Sequence, residues 1–125
     1  MKRSISLAGV VVAGLLLATY CTAEDKSDTE DLMKKKLEYS SNILAGLTNK
    51  DFELIAENAQ ALHDFGKQKW LETDSPEYRT QNQVFWFTSG ALVMAAEQKD
   101  MDAAALSYTQ MTLSCINCHK LIRND

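Results

Sequence analysis

Three side chains near the end of the chain could do chemistry together: Cys115, Cys118 and His119, in the run Cys115-Ile116-Asn117-Cys118-His119. On a helix, residues three and four apart share a face. Both thiols therefore point the same way, and His119 stands one turn above Cys115. This C-x-x-C-H spacing is that of covalent haem attachment, in which two thiols add to the vinyl groups of one porphyrin and the imidazole reaches its iron. Three other readings compete. A redox disulfide expects a βαβ setting, and none is visible here. A zinc site needs four ligands, and only His63 is spare. A structural disulfide leaves His119 without a role.

The N-terminal residues read as an export signal. Lys2 and Arg3 precede an apolar run from Ile5 to Ala18, broken only by Ser6, and Cys21-Thr22-Ala23 offers small residues at a cleavage site. The run is short for a bilayer span. Residues 1–23 are therefore expected to be a signal peptide, with release into the periplasm or an equivalent exported compartment. Lipid attachment at Cys21 is the lesser alternative, because Tyr20 precedes it where a small residue is wanted. Residues 24–30 form an acidic, frayed lead-in, and 31–125 the folded domain. Removing Lys2 and Arg3 from the 13 basic residues leaves 11 against 17 acidic ones, a net charge of −6. That balance lacks the basic stripe that nucleic acid requires.

The residues that must position the motif are rich in Ala, Leu, Glu, Lys, Gln and Met, with a single proline, Pro76. Strand-like alternation is absent, so the fold class is all-α. Four helices are expected, over about 31–47, 51–71, 76–99 and 101–123. Their inward seams are Met33, Leu37, Ser40, Leu44 and Leu47; Phe52, Ile55, Ala59, Leu62, Gly66 and Trp70; Tyr78, Phe85, Leu92 and Ala96; and Leu106 or Ala104, Tyr108, Met111, Cys115, Cys118 and Ile122. Ser75 caps the third helix, with Pro76 at its first position, and Asp100 or Asp102 caps the fourth.

Short connections make this an antiparallel up-down-up-down four-helix bundle with one covalently bound haem. In that topology the end of helix four meets Met33, Leu37, Gly66, Trp70, Tyr78, Gln81 and Phe85. Met33 is a candidate distal iron ligand, since a thioether there raises the potential; the competing role is core filling. With Leu37 over the iron instead, the site is five-coordinate and open to small gases. His63 reads as a partly exposed helix histidine. Lys34-Lys35-Lys36 reads as a solvated face, or else as a docking patch for a redox partner. Arg79, Lys120 and Arg123 could pair with a haem propionate, Arg123 best.

Through helices one to four the chain resembles the class II c-type cytochromes, the cytochrome c-prime family. The run Cys115-Ile116-Asn117-Cys118-His119-Lys120-Leu121-Ile122-Arg123 carries the likeness: C-x-x-C-H with an arginine four positions after the histidine. The resemblance implies a single haem c, His119 as proximal ligand, and either Met-ligated electron carriers or five-coordinate binders of nitric oxide or carbon monoxide. Ile122 stands where the family usually has Phe or Tyr, and Thr29 where an arginine precedes the distal methionine. These departures bear on the distal ligand and on a homodimer interface, not on the haem.

The expected function is thus an exported mono-haem electron carrier that serves a redox partner protein and is not an enzyme. A gas-binding haem protein is the alternative. Peroxidase chemistry ranks last, because the expected haem layer has no distal acid–base pair.

Overall fold

In a computed structural model, the backbone is described for residues 8–123 and the side chains for residues 28–123. Four helices follow one another: α1 (Ala8–Asn49), α2 (Phe52–Glu72), α3 (Pro76–Glu97) and α4 (Met101–Arg123). There is no strand among the described residues, and the expectation of an all-α bundle holds. None of the described helices is long and apolar enough to cross a membrane. The chain divides into two compact units, Met1–Lys35 and Lys36–Asp125.

In the first unit α1 begins at Ala8 rather than near Asp31. No proline interrupts residues 8–35, and the acidic lead-in is made of residues that a helix tolerates. Lys34 and Asp31 form an exposed ion pair at 3.5 Å, one turn apart. The basic start of the expected signal peptide lies outside the described residues.

The second unit holds the rest of α1 with α2, α3 and α4. Its core is Ile43, Ile55, Ala59, Leu62, Phe85, Leu92, Ala95, Ala96, Ala104 and Met111. The connections α1–α2 and α3–α4 use one device twice. Lys50 (φ 58°) and Lys99 (φ 56°) take the left-handed conformation. The next residue's N–H then returns to the helix, Asp51 to the Gly46 carbonyl at 2.9 Å and Asp100 to that of Ala95 at 3.0 Å. Asp51 and Asp100 also cap the following helix, accepting from the N–H of Leu54 and of Ala103, each at 3.0 Å. The α2–α3 connection is the expected one, with Ser75 accepting from Tyr78 N–H at 3.3 Å and Pro76 opening α3.

Two seams are rotated from their expected faces. On α1, Leu37 is 71% exposed and Leu44 50%, while Lys36, Tyr39, Ser40, Ile43, Gly46 and Leu47 face inward or partly so. That row begins with a lysine and includes a glycine, so the leucines mark the wrong stripe. On α4 the buried row is Ala104, Ser107, Met111 and Ser114, with Leu106 and Ile122 each 60% exposed. Small and hydroxyl residues hide this row. Ser107 and Ser114 are suited to it because a serine hydroxyl can turn back on its own helix, as Ser114 does toward the Met111 carbonyl at 2.6 Å.

Gly66 belongs to the expected haem layer, yet α3 fills the space beside it: a Cβ on Gly66 would lie 2.9 Å from the Trp86 Cα and 3.1 Å from a Phe85 ring carbon. Asn82 Nδ2 donates to the Gly66 carbonyl at 2.6 Å, across the same approach. Ala at 66 gains about 1 kcal/mol of helix propensity but must push two backbones apart. Gly66→Ala is therefore expected to lower stability by about 1–2 kcal/mol net, read as a lower urea midpoint at unchanged slope. Lys99→Gly should do the reverse, by about 0.5–1 kcal/mol, by relieving a left-handed lysine.

Candidate functional site

Cys115, Cys118 and His119 all lie in the last turns of α4. Cys115 is exposed, Cys118 half-buried, and the two are not joined in a disulfide. His119 is exposed. Because the buried row of α4 passes through Ser114, Cys115 sits on the rim of the bundle rather than in its seam. The wall beside the thiols comes from α1 and α3. Lys36 of α1 places its Nζ 4.8 Å from the centre of the buried Phe85 ring of α3 and acts electrostatically on both sulfurs. The Tyr78 phenol and the Cys118 thiol act on one another electrostatically.

Burial sets the charge states here. It pushes both thiols above their ordinary value, with the Lys36 ammonium drawing them partly back. It also pushes Lys36 below its ordinary value. Burial and the nearby Cys118 together raise the Tyr78 phenol. Although Cys115 as a residue is exposed, its sulfur is crowded enough for burial to dominate.

The α2–α3 end of the site is aromatic and cationic. Trp70 and Trp86 have centroids 5.8 Å apart, and the Arg79 guanidinium stands 5.2 Å from the Trp70 ring centre. Arg79 Nη2 donates to the Thr73 carbonyl at 2.7 Å, which ties the start of α3 to the preceding connection. A shallow groove of about 520 Å³ is lined by Thr73, Ser75, Glu77, Tyr78, Leu121 and Ile122.

The expected haem layer is partly assembled. Tyr78 stands beside the thiols and Phe85 joins them through Lys36, while Leu37 points to solvent. Met33 is half-buried and belongs to the other unit, residues 1–35. Lys120 and Arg123 are exposed in the last turn of α4. His63 is held by a single partner: its Nδ1 donates to the Trp86 carbonyl at 3.0 Å and its Nε2 accepts from the Trp86 indole at 3.1 Å. Gly90 lets that ring in, since a Cβ there would lie 3.0 Å from it. Among the described residues no three His, Cys, Asp or Glu side chains converge to hold a metal ion by themselves.

Lys36 is the residue that sequence reasoning misplaced, as part of a solvated triplet with Lys34 and Lys35. A position three before Tyr39 and seven before Ile43 was the available signal, and its charge obscured it. No protein-family model matches this chain, and no curated protein or solved structure matches it significantly.

The polypeptide's thiols should accordingly alkylate more slowly with iodoacetamide at pH 8 than a free cysteine does. The rate should keep rising with pH past the ordinary thiol value, because the protonated form persists in the fold. Lys36→Gln removes the charge that favours thiolate, so a further slowing of about threefold is expected.

Proposed function

We propose that this chain is an exported mono-haem c-type cytochrome similar to the class II family, working as an electron carrier. Cys115 and Cys118 would hold haem c through thioethers, and His119 would bind its iron from the same helix. The observation that carries the reading is the setting of the C-x-x-C-H run. Two unbridged thiols on one helix stand beside Tyr78 and Lys36 at one end of a helical bundle.

The donor set fits a porphyrin. The phenyl ring of Phe85 and the exposed Ile116, Leu121 and Ile122 offer apolar surface for a macrocycle to cover. Two buried N–H groups, Trp70 Nε1 and Arg79 Nε, have no acceptor, and a haem brings carboxylates. When bound, the haem supplies a one-electron iron couple. The chain's own residues attach it, fix its orientation and keep one end wet. The mean charge of the exported part is acidic, which favours a redox partner with a basic docking face; Lys34 and Lys35 are among the exposed exceptions.

An up-down-up-down run agrees with the pairings inside the second unit. Late α2 meets early α3 through Gly66 and Asn82, His63 meets Trp86 and Gly90 further along α3, and Ser40 of α1 meets Tyr108 of α4. Residues 1–23 would direct export and then be removed.

Expression in a host that matures c-type cytochromes tests the reading. The purified protein should have the mass of residues 24–125 plus one haem. Cys115→Ser with Cys118→Ser should leave no covalent haem. A thioether-to-iron band near about 695 nm in the oxidised protein, lost in Met33→Ala, would mark Met33 as the distal ligand. A high-spin spectrum with ready carbon monoxide uptake would mark gas binding instead. A bare polypeptide mass overturns the proposal.

A further inference from the structure

Among the described residues, no acid answers the charge of Arg79. The ion pairs among the described residues are Lys34–Asp31 and Lys69–Glu72, and neither includes it. Its guanidinium is half-buried, stands over the Trp70 ring at 5.2 Å, and makes one hydrogen bond, from Nη2 to the Thr73 carbonyl. Its Nε–H is buried and unpaired. Only one other buried side-chain polar atom among the described residues shares that condition, and it is Trp70 Nε1.

The two orphans belong to side chains already in contact. Both can only donate: an indole N–H and a guanidinium N–H have no acceptor capacity. Whatever satisfies them must accept hydrogen bonds, and beside a cation excluded from full hydration an anion does so best. A carboxylate offers two acceptor oxygens, one for each donor. The surroundings tie this pair to the thiols. Tyr78, the neighbour of Arg79, lies close enough to Cys118 to act on its charge, and Trp86, packed on Trp70, precedes Phe87 and follows Phe85, which carries the Lys36 ammonium.

We propose that Trp70 Nε1 and Arg79 Nε together hold one propionate of the haem tethered at Cys115 and Cys118, an inference that rests on the cytochrome reading above. They are positioning residues: they orient the macrocycle and fix the charge of its edge. Arg123, which the sequence favours for this role, is exposed on the last turn of α4.

The reduction potential of the haem-loaded protein, followed against pH, tests this. A cation beside a carboxylate keeps it ionised well into the acid range. The native potential should therefore be flat through neutral pH. In Arg79→Gln the propionate loses that support and takes up a proton at higher pH. Protonation removes negative charge near the iron and favours the reduced form, so the potential should climb as pH falls through the new step. Trp70→Phe, which keeps the ring and loses only the N–H, should show a smaller change of the same sign, and Arg79→Lys should stay flat. Other ionisable groups near this end are Lys36 of α1, Lys69 and Glu72 of α2, Asp74 of the connection, Glu77 and Tyr78 of α3, and His119, Lys120 and Arg123 of α4. They are common to all these variants, so the difference from the native curve isolates the propionate. Helical circular dichroism and haem mass are checked for each variant. Curves for Arg79→Gln and Trp70→Phe that superimpose on the native one overturn the proposal and leave the cytochrome reading standing, the orphans then being met by water. A step in Arg123→Gln without one in Arg79→Gln also overturns it. Failure to attach haem to the native chain is a different result, and it removes both.

Discussion

The approach of α2 to α3 at Gly66 is the constraint on which the site depends. Helices normally keep their axes about 8–10 Å apart because side chains separate them. A missing Cβ at 66, with the Asn82 amide bonded to the Gly66 carbonyl at 2.6 Å, lets the backbones close further. That closeness fixes where Trp86 and Phe85 stand. Trp86 in turn seats His63 on one side and Trp70 on the other, and Phe85 receives Lys36. The wall beside the thiols is thus assembled around one residue with no side chain.

Much of the fold was legible, for identifiable reasons. Helices α2, α3 and α4 carry long apolar periodicity between strong punctuation: Asp51, Ser75-Pro76 and Asp100. Their limits fall within about two residues of expectation. The first helix was read short, because its apolar stripe and its acidic stretch look like separate segments while the backbone continues through both. The rotated seams of α1 and α4 share one cause. Burial there falls on Lys36, Gly46, Ser107 and Ser114, residues that an apolarity count passes over, while leucines at 37, 44 and 106 face water. Exposed leucines are ordinary, and a buried polar row is the more informative sign.

For the candidate site, the motif itself was plain from spacing alone. What the sequence concealed was its company. A lysine triplet invites a solvated reading, yet its third member folds inward over a phenyl ring, where the long methylene stem and the ring quadrupole both favour it. Arg79 and Trp70 looked like generic members of a layer. That they stand together with unpaired donors depends on the Thr73–Ser75 connection, whose geometry comes from capping and from the Arg79 bond to Thr73, not from periodicity.

The placement of Cys115 on the rim of the bundle carries one more implication. Ser114, its neighbour, occupies the interior row, so the helix carries Cys115 at the edge of the core without any unfolding. The residue meets solvent while its sulfur stays crowded. Reactivity at this position is consequently gated by the proton that this crowding holds on sulfur, and Lys36, reaching across from the first helix, partly opens that gate.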